Sequence, residues 1–380
     1  MDKIKTFLTN YHGAVFGFLI LSFGFDFMDK IEIFYDIDFI KFNRILKAIF
    51  LIYSIIFILS HVKYVQENLK ALSVIIVLLS IIYVFKNNFS ERYFFEYLRY
   101  IFALIVFPLL HYTYVNKDQG LFIYLYKFFK WLICINVVLI LIGILFEVKV
   151  FQTYQYDGRF GYNGFILSQG FTPFFYLCAT TVFWAYRDKK MLALLLVLCA
   201  LSGLKGVYFA EFLLLSLLVM SSDKFKKRFK AIAFLILLVT FVALLVWLLL
   251  SPVFVEIFES NGFLSAIFSF RTDNAIELFS QINRDNFNII IGALETEVVR
   301  LEMQIFDIIL FFGIIGLISY IVFLYLLNKS IVKGTVAKVF FVTILILSVL
   351  SGNLFYIPLS SILMFLVLMS LVEFPNIRTT

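Results

Sequence analysis

Long apolar runs alternate with short polar connections along almost the whole chain. Several runs approach or exceed the roughly 20 residues that an α-helix needs to cross a ~30 Å hydrocarbon core. A soluble protein of this length could not bury so much apolar surface. The pattern therefore predicts an all-α, polytopic transmembrane helical bundle that forms one integral membrane domain over residues 1–380. We predict about twelve spans, at residues 12–28, 45–61, 71–85, 99–115, 129–147, 168–186, 191–204, 206–221, 231–250, 303–327, 339–352 and 354–372.

Two longer polar segments interrupt the apolar pattern, at residues 148–167 and 251–302. Within the second, apolar residues recur at helical spacing behind Thr272 and Asp273, whose side chains can cap a helix start. We predict a short amphipathic helix there, lying on the membrane surface or packed over the bundle. The apolar residues at this spacing are Ala275, Ile276, Phe279 and Ile282.

Composition and charge predict how the chain is oriented in the membrane. Hydrophobic residues make up 63% of the 380 residues, against roughly 45–50% in soluble domains. With the N-terminus inside, the inner connections hold most of the lysines and arginines, as the positive-inside rule requires. The 251–302 segment has the opposite balance, with three arginines and eight carboxylates. We therefore expect both termini in the cytoplasm and both long polar segments outside, without nucleic acid as a partner.

Basic residues on the predicted outer face are the first candidates for chemistry, because the positive-inside tendency works against them. They are Arg159, Arg271, Arg284 and Arg300, with Lys205 at a break between two short helices. Guanidinium groups bind phosphate in a bidentate fork, so these residues could converge on a lipid-linked pyrophosphate. The alternative is that each arginine pairs with a loop carboxylate or reaches lipid headgroups.

Carboxylates are the second candidates. Glu302 and Asp307 lie where the chain re-enters the membrane, and one of them could act as a general base on a sugar hydroxyl. The alternative is that they only decorate a helix N-terminus, where the helix dipole favours acids. The three histidines all fall on the predicted inner side, and no metal, P-loop or nucleophile-elbow motif is present. We expect no metal and no cofactor.

Four short patterns resemble Wzy-type O-antigen and capsular polysaccharide repeat-unit polymerases. In "GRFGYNGFILSQG", Arg159 and Gly170 fit the family's Arg-x10-Gly loop, which also contains Tyr162 and Asn163. "LSGLKG" resembles a small–basic–small helix break centred on Lys205.

The other two patterns lie near the C-terminus. "RLEMQIFDIILFFGIIG" resembles the family's entry to a late span and supplies Glu302 and Asp307. "SGNLFYIPLSSILM" resembles its final hairpin, although Asn353 stands where many relatives have histidine. The long loop also lacks a clean Arg-x10-Gly, so the resemblance leaves open whether Arg271 or Arg284 is the second functional arginine.

The resemblance implies a GT-C-like fold in the bacterial inner membrane and metal-independent glycosyl transfer at its outer leaflet. The donor and the acceptor would both be glycans on undecaprenyl pyrophosphate, and a chain-length regulator protein is left open as a partner. Its implied site joins the bases Glu302 and Asp307 to a set of substrate-binding residues. That set is Arg159, Lys205, Arg271, Arg284, Arg300, Gly170, Tyr162 and Asn163.

Two other functions stay open at this point. An O-antigen ligase uses the same donor, but its large outer loop should carry a histidine, and residues 251–302 contain none. A flippase or transporter of lipid-linked sugars should place charges near the bilayer midplane and show internal pseudo-symmetry. Here the charges cluster outside the predicted spans.

Overall fold

The fold is all-α, as the apolar runs predict. A computed structural model describes residues 11–86, 89–115, 120–155, 159–166, 169–223, 225–282, 286–294 and 300–377. This part of the chain holds sixteen α-helices, a short 3-10 helix at Lys149–Phe151 and one two-stranded hairpin. The helices are α1 (Tyr11–Tyr35), α2 (Phe42–Ser60), α3 (Val62–Asn68), α4 (Lys70–Phe85), α5 (Glu91–Val115), α6 (Leu121–Leu145), α7 (Thr172–Tyr186), α8 (Lys189–Leu201), α9 (Lys205–Ser221), α10 (Lys227–Leu249), α11 (Pro252–Asn261), α12 (Phe263–Phe268), α13 (Arg271–Gln281), α14 (Gln304–Ile331), α15 (Gly334–Ser351) and α16 (Pro358–Ile377).

Six of the described helices are long and apolar enough to cross a membrane: α2, α5, α6, α10, α14 and α15. Helices α3 and α4, which are bent by 103° at Leu69, count as a seventh if they form one span. The protein is therefore a multi-pass α-helical membrane protein. A helix covers most of each of the twelve stretches predicted from the sequence. However, α7, α8 and α9 are shorter than the roughly 20 residues of a full crossing, so the number of twelve spans stays a prediction.

The centre of the bundle is α16. Every side chain from Leu359 to Leu371 is buried, and the helix packs against α5, α6, α7 and α15. It can be buried all round because no charged residue occurs before Glu373 and two of its serines, Ser361 and Ser370, bond to its own backbone. For example, Ser361 Oγ donates to the Pro358 carbonyl oxygen at 3.0 Å. Such local bonds remove the cost of burying a hydroxyl.

Helix α14 is broken at Gly313, whose φ of 69° and ψ of −165° are not helical. The break separates a half-helix, residues 304–312, from the longer remainder of α14. The hairpin, β1 (Phe287–Asn288) paired antiparallel with β2 (Gly292–Ala293), inserts at this point. Its tip supplies the carbonyl oxygens of Ile289 and Ile290 to the N–H groups of the first two residues after Gly313, at 2.9 and 3.3 Å. A side chain on Gly313 would overlap the hairpin backbone at Ile290.

Lys86, which follows α4, also bonds to the backbone at this break. Its Nζ donates to the carbonyl oxygen of Phe311 and to the Tyr93 hydroxyl (2.7 Å). Tyr93 in turn donates to the carbonyl oxygen of Ala293 in the hairpin (3.1 Å). The unpaired backbone groups of a broken helix are costly near a membrane, and here the hairpin and one ammonium group satisfy several of them.

Candidate functional site

The connections after α6, α8, α10 and α15 meet at one end of the bundle, which we call the loop end. The Tyr162 N–H donates to the Leu201 carbonyl oxygen (2.7 Å), which joins the first two connections. A side chain on Gly170 would overlap the amide nitrogen of Asn353, so the first connection also touches the last. Glycine at residue 170 is thus required by close packing at this end.

Arg159 and Lys205 approach the same aromatic ring. Arg159 Cζ lies 4.8 Å from the ring centroid of Phe254 in α11, and Lys205 Nζ lies 4.3 Å from it. Arg159 also stacks on Tyr154 (5.3 Å), whose pKa is raised by burial against the opposing effect of Arg159. Among the described carboxylates, none forms an ion pair with either cation. Their positive charge is met by aromatic faces and carbonyl oxygens.

Lys205 is held in place by the end of α12. Its Nζ donates to the carbonyl oxygens of Ala266 (2.6 Å) and Ile267 (2.8 Å), which belong to the last turn of that helix. A cation is favourable there because the helix dipole is negative at its C-terminus. Burial, together with the smaller effect of the nearby charges of Arg159 and Arg271, lowers the Lys205 pKa to about 7. The three cations therefore lie close enough to repel one another.

Arg271 begins α13 and pairs with Glu302. Its Nη2 lies 2.9 Å from Glu302 Oε2, and its Nη1 donates to the Leu350 carbonyl oxygen at 2.7 Å. The Glu302 side chain is 53% exposed. Its backbone has a φ of 55° and packs directly on Gly352. Of the two predicted bases, Glu302 is the one that a molecule at the surface can reach.

Arg300, which is partly buried, pairs with the buried Asp307 beside it. Arg300 Nη2 donates to Asn353 Oδ1 (2.8 Å) and to the Gly352 carbonyl oxygen (3.3 Å). Its Nε lies 3.5 Å from Asp307 Oδ2, while Asp307 Oδ1 accepts from the Leu301 N–H at 2.9 Å. The Asp307 side chain is fully buried. This geometry makes Asp307 a residue that orients Arg300.

Sequence reasoning missed a third group, centred on Tyr356. Arg300 Cζ lies 3.3 Å from its ring centroid, a close cation–π contact. Arg99 donates to the Tyr356 hydroxyl and to Glu96 (2.9 Å), and Tyr356 donates to the same Glu96 oxygen (2.9 Å). The available signal was Arg99 itself, an arginine on the predicted outer face at the start of the fourth span, but Tyr356, which joins it to Arg300, is 257 residues away in the chain.

Two predicted site residues, Asn163 and Tyr162, make no contact through their side chains with the charged groups described above, and a third, Arg284, cannot be placed. Asn163 is buried and donates to Thr172 Oγ1 (2.8 Å) and to the Ile166 carbonyl oxygen (3.1 Å), so it shapes its loop. Tyr162 joins the connections through its backbone. Arg284 lies outside the described residues. The described part of the chain contains no group of three His, Cys, Asp or Glu side chains that could hold a metal ion.

The arrangement as a whole is a row of four cations, Arg159, Lys205, Arg271 and Arg300, of which only the last two pair with a carboxylate of the described residues. The Arg159–Lys205 side can attract an anion, and the Glu302 side offers an exposed carboxylate that can accept a proton. No protein-family model, curated protein or solved structure matches this chain.

Proposed function

We propose that this protein is a membrane glycosyltransferase that polymerises oligosaccharide repeat units carried on undecaprenyl pyrophosphate into O-antigen or capsular polysaccharide. The observation that carries the proposal is the pair of cations on the Phe254 ring. Arg159 and Lys205 have no ion-pair partner among the described carboxylates, and they lie at the end of a multi-pass membrane bundle. An anion that a membrane protein meets at this level is the phosphate group of a lipid.

The charged residues have two roles in the reaction. The acceptor sugar hydroxyl attacks the anomeric carbon of the donor, the bond to pyrophosphate breaks, and the leaving group takes the electron pair. Arg159, Lys205 and Arg271 stabilise the negative charge that develops on the leaving pyrophosphate. The Glu302 carboxylate accepts the proton of the attacking hydroxyl. Asp307 keeps Arg300 oriented, and no step requires a metal ion.

The same proposal includes an orientation and a span count. We place the loop end outside the inner membrane, both termini in the cytoplasm, and twelve helical crossings in a GT-C-like bundle. Support comes from the charge balance. Lys189 and Lys190, as well as Lys226 to Lys230, lie at helix ends opposite the loop end, whereas α11 to α13 hold more acids than bases.

Transport of lipid-linked sugars is a second candidate, and the break in α14 is the observation that favours it. Discontinuous helices form the substrate sites of many transporters near the bilayer midplane. In α14 the break follows only nine helical residues, and Lys86 and the hairpin fill it. The polymerase proposal is therefore better supported.

A reconstituted assay separates the two candidates. The purified protein is placed in liposomes with an undecaprenyl-pyrophosphate-linked oligosaccharide, and the products are separated by size and by lipid. We expect glycans of two or more repeat units together with released undecaprenyl pyrophosphate. Movement of the substrate between leaflets without new glycosidic bonds would establish the transporter instead. The absence of both outcomes would overturn both proposals.

A further inference from the structure

Helix α13 presents three different faces. At 3.6 residues per turn, its packed face holds Leu278, which forms a small core with Leu301 and Leu310. The neighbouring face holds Ile276 and Phe279, which are 72% and 53% exposed. The remaining face is polar and exposed, with Asn274, Glu277 and Gln281. The sequence predicts an amphipathic helix that either lies on the membrane surface or packs over the bundle, and in the structure the protein leaves Ile276 and Phe279 uncovered.

The uncovered apolar face continues onto the neighbouring elements. The Phe279 ring lies 6.3 Å from that of Phe306 on the half-helix, which is 37% exposed. The hairpin tip, held at the α14 break, exposes Ile289 and Ile290 by 54% and 55%. We call these five residues the apolar edge. Beyond the break it is continuous with exposed residues at helical spacing on α14, namely Ile314, Ile318, Ile321 and Tyr325.

The position of the α14 break in the bilayer determines how deep the apolar edge lies. The remainder of α14, from Ile314 to Ile331, has eighteen residues, and at ~1.5 Å per residue it extends over about 27 Å. That length nearly matches a ~30 Å hydrocarbon core. The break therefore lies at the boundary between hydrocarbon and headgroups. Irregular backbone is tolerated at that depth only when protein satisfies it, as the hairpin and Lys86 do here.

We propose that the apolar edge is immersed in the leaflet at the loop end, with lipid hydrocarbon chains as its partner. Helix α13 and the hairpin are then interfacial elements, and the polar face of α13 meets water. Arg271 begins the same helix, so the Arg271–Glu302 pair lies at the level of lipid phosphates. This inference concerns burial in the bilayer, and it stands independently of the proposed glycosyl transfer.

Site-directed spin labelling tests the inference. Single cysteines replace Ile276 and Phe279, with matched controls Glu277→Cys and Gln281→Cys on the polar face of the same helix. The exposed Cys134 is replaced by alanine, and the buried Cys178 and Cys199 remain. Each labelled protein is reconstituted in phosphatidylethanolamine–phosphatidylglycerol vesicles. Collision rates are measured with oxygen, which concentrates in lipid, and with a water-soluble nickel chelate.

We expect the labels at Ile276 and Phe279, like a reference label at Ile318 on α14, to collide more often with oxygen than with the nickel chelate. The two control labels should collide more often with the nickel chelate. Equal nickel access at Ile276 and Glu277 would overturn the inference, because the edge would then stand in water. Protection of Ile276 and Phe279 from both reagents would also overturn it, because a second copy or another protein would then cover them. Neither readout depends on catalytic activity, so the polymerisation assay is judged separately.

Discussion

At the scale of single residues, two ion pairs of the loop end differ in the burial of their carboxylates. The Glu302 side chain of the Arg271–Glu302 pair is 53% exposed, whereas the Asp307 side chain of the Arg300–Asp307 pair is fully buried. Surface pairs contribute about 0–1 kcal/mol, but removal of one partner from a buried pair leaves a charge without compensation. The two carboxylates therefore differ in their effects: Asp307 maintains the structure and Glu302 is available for chemistry.

The substitutions Asp307→Asn and Glu302→Gln test this difference as a matched pair. We expect Asp307→Asn to lower the free energy of unfolding by about 3 kcal/mol, because the partly buried Arg300 loses its counter-charge. Glu302→Gln should change it by less than about 1 kcal/mol and abolish polymerisation. Unfolding in detergent and product length measure the two effects. Equal stability of the two variants would contradict the assignment.

Gly170 provides a second test at this scale. In Gly170→Ala the new methyl group displaces the Asn353 amide, which accepts from Arg300. We expect shorter product chains from this variant. Gly17→Ala in α1 is the control, since nothing lies within 4 Å of the added methyl group and alanine favours a helix. Identical product lengths for both variants would show that Asn353 does not need its present position.

At the scale of elements, hydropathy locates the helices well. It misses the α14 break, because Gly313 interrupts an apolar run without any polar residue and the hairpin that fills the break is more than twenty residues earlier in the chain. The helix α13 was predicted, but not which of its apolar residues the protein covers, since periodicity identifies apolar residues without showing their contacts. In the candidate site, charge placement brings Arg159, Lys205 and Arg271 to one end. It cannot reveal that aromatic rings such as Phe254 and Tyr356 join them, because aromatic residues occur throughout the sequence.

Gly313→Ala tests the break, with Gly262→Ala as control. Both glycines have positive φ, 69° and 87°, with ψ near 180°, a backbone conformation in which alanine costs on the order of 1–3 kcal/mol at either position. Only at Gly313 does the new side chain also overlap the hairpin backbone at Ile290. We expect a clearly larger drop in the unfolding temperature for Gly313→Ala. Equal drops would mean that the hairpin is not seated in the break.

At the scale of the whole molecule, the proposal depends on which side of the membrane the loop end faces. The long connection before α14 and the short one after α9 should lie on opposite sides of the membrane. Their net charges support this placement, since the short connection is basic and the long one is acidic.

Fusions to alkaline phosphatase, which is active only outside the cytoplasm, test the orientation. We expect high activity for a fusion after Gly262 and low activity for a fusion after Ser222, because α10 separates the two points. The reverse result would place the charge row in the cytoplasm and remove the outer-leaflet reaction.

The most direct test of the central claim is the reconstituted polymerisation assay with Arg159 variants. We predict that Arg159→Ala lowers the rate of chain extension roughly 10²-fold, the usual effect of removing one group that stabilises transition-state charge. Arg159→Lys should recover little of it, because a planar guanidinium is needed to stack on Tyr154 and Phe254. Arg92→Ala, at an exposed arginine of the same end, should extend chains at the normal rate. Normal extension by Arg159→Ala would contradict the account.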